Sequence, residues 1–183
     1  MGMKDRSDAV LVDRCLKGDN AAFETLVSKY HKPIYNLALR MAKVTEDAED
    51  ITQTVFVKAY EKIDTYNPAH RFFSWIYRIA VNESINFCKR SKRTDDYESG
   101  VTASNSTTPE DKFRSGQLGE HVGDAIGRLK LDYRLVIVLK HYHDFSYREM
   151  SDVLQIPEKT VKSRLFTARQ QLKLILEREG IRG

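Results

Sequence analysis

Lys159, Ser163, Phe166 and Gln170, flanked by Lys162 and Thr167, fall on one face of a helical pattern near the end of this 183-residue chain. The opposite face carries Val161, Leu165, Ala168 and Leu172, a narrow apolar stripe at spacings of four, three and four. A face that offers donors, positive charge and one ring suits the reading of base edges in a major groove. Five Lys or Arg stand against one Glu over 157–173. Just upstream, Ser146 and Glu149 form an S-x-x-E capping box that opens a short helix, about 147–154. Gln155 and Ile156 make a turn, and Pro157 suits the first position of the next helix, where no amide hydrogen is needed. Residues 145–173 therefore predict a helix-turn-helix, with Ser151 permitting close approach of its two helices. Gln155 stands where such turns commonly need positive φ, at a cost of about 1 kcal/mol for a non-glycine residue. An ordinary amphipathic hairpin shares much of this pattern.

A second cluster lies in 66–77, with five aromatic residues, Tyr66, Phe72, Phe73, Trp75 and Tyr77, the tryptophan being the chain's only one. On a helix starting near Phe72, Phe73, Ile76 and Tyr77 share a side fit for a core. Phe72 and Trp75 fall on another, beside Arg71 and Arg78. Rings interleaved with cations, followed by Lys89, Arg90, Lys92 and Arg93, suit single-stranded DNA, because bases stack on rings while cations hold phosphates. The competing reading is that all five rings pack a small core. A third helical segment, opened by Thr45, carries Glu46, Asp47, Glu49, Asp50, Gln53 and Thr54 on an acidic, polar surface. Acids there complement the helix dipole, or they form a docking face for a basic partner.

The elements that position these groups are helical in period throughout, with no sustained alternation. The pattern predicts helices over 10–16, after Asp19 or Asn20, and from near Pro33 through Ile34, Leu37 and Met41. Others follow from Thr45 to about Lys62, over 73–89, 118–129 and 133–143, and then in the hairpin. The fold class is all-α: two small helical domains, 1–93 and 113–183, joined by a flexible acidic linker over 94–112, polar and rich in Ser and Thr. The two domains each carry a net charge of +4 and the linker −4, so two basic blocks could each meet a polyanion. No P-loop, Ser/His/Asp arrangement or metal-ligand spacing is visible, so no catalytic residue, metal or cofactor is expected. Cys15 and Cys88 stand far apart in apolar patterns, as buried thiols would. No apolar run is long enough to cross a bilayer, and 1–8 is polar, so a soluble intracellular protein is expected.

Taken in order, these pieces resemble a bacterial RNA polymerase sigma factor of the extracytoplasmic-function type within the sigma-70 superfamily. The resemblance covers nearly the whole chain and is strongest over 47–60 (DAEDITQTVFVKAY), 72–87 (FFSWIYRIAVNESINF) and 160–172 (TVKSRLFTARQQL). It implies a non-enzymatic promoter-specificity subunit with two helical domains, regions 2 and 4. Asp47, Asp50, Gln53 and Thr54 would meet the clamp coiled coil of core RNA polymerase. Arg71, Phe72, Trp75, Tyr77, Arg78, Asn82, Lys89 and Arg90 would melt and read the single-stranded non-template minus-10 element. Lys159, Lys162, Ser163, Arg164, Phe166, Thr167 and Arg169 would meet the duplex minus-35 element, Arg164 and Arg169 as phosphate or structural arginines.

The resemblance further implies an anti-sigma partner and a cytoplasmic location, in some cases at the inner membrane face. The chain departs from the family pattern at four positions: Thr54 stands for Glu, Thr167 for Arg, Gln155 for the turn Gly, and Lys130 for a Pro. The rival reading is a stand-alone helix-turn-helix regulator binding operator DNA, with the N-terminal block as sensor or dimeriser.

Overall fold

A computed structural model describes residues 3–95 and 117–180, with side chains over 7–91 and 121–180. Among the described residues the fold is all-α, with no strand. In chain order the helices are α1 (Met3–Leu16), α2 (Asn20–Ala42), α3 (Thr45–Glu61), a 3-10 turn (Ile63–Thr65), α4 (Phe72–Asp95), α5 (Gln117–Arg128), α6 (Leu131–His141), α7 (Tyr147–Leu154) and α8 (Glu158–Arg178). Helix α4 extends two residues into the linker expected over 94–112. Positions 96–112 of that linker lie outside the described residues.

The first half is a bundle of α2, α3 and α4 with α1 laid against it. Gly18, at φ 89, lets the chain turn out of α1. Asp19 then caps α2 by accepting from the Ala22 amide while its carboxylate takes the Arg14 guanidinium at 2.6 Å. That hydrogen bond from Arg14 holds the Asp19 carboxyl below its ordinary range. Asp8 of α1 is 2% exposed and carries its charge inward onto the Lys29 ammonium and the Tyr30 hydroxyl, the latter 2.6 Å away. A buried carboxylate is tolerable only with partners of this kind.

Helix α2 corrects the expectation of a break near Pro33, since it runs unbroken for 23 residues with Pro33 inside. Leu26, Tyr30, Ile34, Leu37, Ala38 and Met41 bury one continuous face on both sides of the proline, and that packing outweighs the lost amide. At the other end Lys43 adopts φ 69 and returns its amide to the Leu39 carbonyl at 2.8 Å. Val44, not Thr45, holds the N-cap position of α3, and Ala48, Ile51, Val55, Phe56 and Ala59 seat that helix on the bundle. Cys88 is buried while Cys15 is only half-buried; neither is in a disulfide.

The second half is organised around α6, whose residues Leu135, Val136, Ile137, Val138 and Leu139 are all buried. Five consecutive buried positions mean that the helix is covered on every side, by α5, α7 and α8 of its own half and by α2 of the other. One contiguous set of buried apolar side chains consequently runs through both halves. Lys130, ahead of α6, has φ −55 and ψ 145, a conformation that proline would also take.

Candidate nucleic-acid interface

The hairpin of α7 and α8 forms as its sequence predicts. Ser146 Oγ accepts from the Glu149 amide at 3.2 Å, and Glu149 Oε2 accepts from the Ser146 amide at 2.9 Å, completing the capping box. Gln155 takes φ 53 and closes α7, its amide returning to the Ser151 carbonyl. Its side chain donates to the Asp152 carbonyl at 2.6 Å. The Ser151 hydroxyl donates to the Ile156 carbonyl at 2.6 Å and fixes the turn. Pro157 is the N-cap residue, and α8 begins one position later than expected.

Val161, Leu165 and Ala168 are buried, so the opposite face of α8 points outward. Lys159, Lys162 and Ser163 are exposed there, and the Phe166 ring is 66% exposed. Thr167 is half-buried at the edge of this face. Arg164 reaches back to Asp132 at 3.5 Å, and Arg169 lies 3.3 Å from His141 Nε2. Both arginines thus tie α8 to α6. Burial and the adjacent Arg169 and Lys140 charges lower the His141 pKa.

The aromatic segment differs from expectation in orientation. Phe72 is 1% exposed, enclosed by Tyr30, Tyr66 and Trp75 at ring-centroid distances of 5.6, 5.5 and 5.4 Å. Trp75 is 7% exposed and meets Tyr66 edge-on at 5.9 Å. Phe72 and Trp75 were expected on an outer side and instead fill the core, because α4 starts at Phe72 with that pair turned toward α2 and the Tyr66 turn. Phe73, expected in the core, is only half-buried there and faces the second half of the chain. Tyr77 is 2% exposed, and burial raises its phenol pKa.

Further along α4 a polar stripe stays open: Arg78 is half-buried, and Asn82, Asn86, Lys89 and Arg90 are exposed. Asn86 was missed in the sequence, although its spacing of four from Asn82 places it on the same face. Arg71 is exposed and lines a cavity of about 280 Å³ together with Asp8, Lys29, Tyr30, Phe73 and Tyr77.

On α3, Asp50, Gln53 and Thr54 are exposed and Asp47 is half-buried. The Asp47 carboxyl is raised above its ordinary range by burial and by the neighbouring Asp50 and Glu46 charges. Acids that repel each other in this way are eased by a cation brought from outside. Beside them α2 and α3 leave an apolar groove of about 560 Å³, lined among others by Phe23, Val27, His31, Gln53, Phe56 and Tyr60. Among the described residues no cluster of His, Cys, Asp and Glu could hold a metal ion, and no helix is long and apolar enough to cross a membrane.

The family signature "Sigma-70 region 2" matches residues 26–94, and "Sigma-70, region 4" matches 120–172. The ECF RNA polymerase sigma-E factor of Haemophilus influenzae is 32% identical over 178 residues, covering 91% of this chain and 94% of the relative. Its counterpart from Escherichia coli K12 is 33% identical over 177 residues, covering 91% and 92%. This chain belongs to the extracytoplasmic-function sigma factors. As a sigma factor it is a non-enzymatic, DNA-binding subunit that directs RNA polymerase to initiate transcription at promoters. The stand-alone regulator is not favoured, since the match takes in both halves rather than the hairpin alone.

Solved structures of similar fold include CnrH in complex with the cytosolic domain of CnrY, at TM-score 0.70 and 24% identity, covering 93% of this chain and 97% of that one. The sigma factor RpoE with the anti-sigma factor NepR from Bartonella quintana also has TM-score 0.70 and 24% identity, covering 85% and 96%.

Proposed function

We propose that this sigma factor divides its work along the chain. Residues 1–93 dock on the polymerase and handle the minus-10 element, 94–112 act as a linker, and 113–183 read the minus-35 element. Asp47, Asp50, Gln53 and Thr54 of α3 meet basic side chains of the polymerase clamp, with the adjoining apolar groove adding buried area. Arg78, Asn82, Lys89 and Arg90 line the path of the non-template single strand, with Arg71 and Tyr77 at its start. Phe72 and Trp75 support that surface from beneath, their rings being enclosed.

The observation that carries the reading is the outer face of α8. There an exposed ring at Phe166 stands beside Lys162 and Ser163 on a helix that its own hairpin holds rigidly. Donors on such a face pair with base edges and an apolar ring meets the thymine methyl, a good bidentate pair discriminating bases by about 1–3 kcal/mol. Arg164 and Arg169, bound to α6, orient the helix rather than read sequence.

The site of action is the cytoplasm, with an anti-sigma protein as the partner that restrains this chain, in some states at the inner membrane face. The structures of similar fold were both solved as complexes, one of them with a named anti-sigma factor. The open groove between α2 and α3 supplies an apolar seat for a helix of such a partner.

Run-off transcription with core polymerase plus this protein on a promoter library tests the reading. New start sites sharing two spaced elements are expected. Start sites no different from those of core polymerase alone would overturn it.

A further inference from the structure

Over residues 72–91 helix α4 carries Arg78, Lys89 and Arg90 and a single acid, Glu83. An acid is out of place on a helix whose open face is read as the path of a polyanion. Glu83 directly follows Asn82 and precedes Asn86 by about 5 Å along the helix axis. That spacing is within the Debye length of about 8 Å at physiological salt, so an uncovered carboxylate here would repel a strand lying along the two asparagines.

The carboxylate is covered from the neighbouring helix. Glu83 is 12% exposed, and its Oε2 lies 2.7 Å from the Lys58 ammonium of α3. Val55 and Ala59 beside Lys58, and Ala80 and Ser84 beside Glu83, are all buried. The pair therefore stands where the packed sides of α3 and α4 meet. Lys58 is itself 38% exposed, and an ion pair with one partner so open adds little to stability. Packing alone does not call for it.

We propose that Lys58 is a positioning residue for minus-10 recognition, which holds the Glu83 carboxylate back against α3 and off the single-strand path. The inference rests on the reading of the α4 stripe from Arg78 to Arg90 as that path. A carboxylate so enclosed is costly without its cation, and turns outward to water when the cation is removed. The open side of α4 is the side that the strand uses. Lys58 acts on DNA through Glu83, without touching a phosphate. It lies one turn beyond Thr54, so the helix read as the polymerase contact also restrains the acid of the reading helix.

The test is a double-mutant cycle on the full chain, built from Lys58→Met, Glu83→Gln and the two together. Methionine keeps an unbranched apolar stem and removes the charge. Fluorescence anisotropy at low salt, with a random single-stranded DNA of about 12 nucleotides, reads the binding. K58M should weaken it about fivefold where Glu83 is present, and less than about twofold in the E83Q background. Lys58→Arg, which keeps the cation, should bind as wild type does.

A lysine that held a phosphate directly, or acted only as general charge, would cost the same in both backgrounds, and that result overturns the proposal. So does a K58M chain whose thermal midpoint falls while its binding at a lower temperature stays at the wild-type level, since the lysine would then be structural. Lys58→Gln completes the cycle should K58M not fold. Failure of the underlying reading looks different: no form of the chain, wild type included, would bind single strands. That outcome overturns the stripe and the proposal together, whereas equal costs overturn the proposal alone.

Discussion

The Tyr77 hydroxyl and the His143 Nδ1 atom, 66 residues apart in sequence, lie 3.3 Å from each other at the joint between the two halves. Burial keeps the phenol protonated, so it donates and the imidazole accepts in its neutral form. Burial, with Arg40 close by, lowers the His143 pKa from 6.5 to about 4. The joined state therefore binds fewer protons than the parted one. Closure is fully favoured above pH 6.5 and is lost as pH falls from there toward 4, by on the order of 2 kcal/mol at the lower end. Scattering or amide exchange across that range should show the chain opening, and His143→Gln should flatten the dependence.

Phe72→Ala and Asn82→Ala should behave as opposites. The first empties a site enclosed by three rings and should cost about 3–5 kcal/mol of stability in urea denaturation. The second removes an exposed amide, so stability should change by less than about 0.5 kcal/mol while open-complex formation on a responsive promoter falls. If Phe72→Ala left stability untouched, its place in the core would be wrong.

Phe166→Ala should leave thermal unfolding unchanged, since the ring is two-thirds exposed. It should reduce minus-35-dependent initiation about tenfold, equivalent to about 1.4 kcal/mol within the range of one base contact. Equal loss on a template without a minus-35 element would argue for a structural role.

Ser146→Ala removes the acceptor for the Glu149 amide and should cost about 1 kcal/mol, read as earlier loss of helix protection over α7 in amide exchange. Gln155→Gly should act in the other direction. It relieves a left-handed backbone at φ 53 but loses the bond to the Asp152 carbonyl, so a net gain near 0.5 kcal/mol in a thermal melt is expected.

The hairpin was legible because its determinants are local: Ser146 and Glu149 are three residues apart, and the apolar stripe of α8 has one buried side. Helix α4 was not legible in phase for the opposite reason. Phe72, Trp75 and Ile76 face the core of the first half while Phe73 and Tyr77 face the second. A helix covered on two sides shows too many apolar positions for periodicity to say which side is inner. Pro33 misled because its local cost was weighed without the long packed face that carries α2 through it. The joint itself rests on pairs such as Arg71 with Glu149 and Arg134 with Met41, separated by 78 and 93 residues, and no local pattern announces such pairs.

Helix α2 spans about 34 Å in one piece. Phe23, Val27, His31 and Tyr35 along it line the groove beside α3, and its last turn holds the Met41 carbonyl that Arg134 grips. One unbroken helix therefore joins the groove to the end that Arg134 caps, so a partner seated in the groove would bear on the same backbone that the joint between the halves holds.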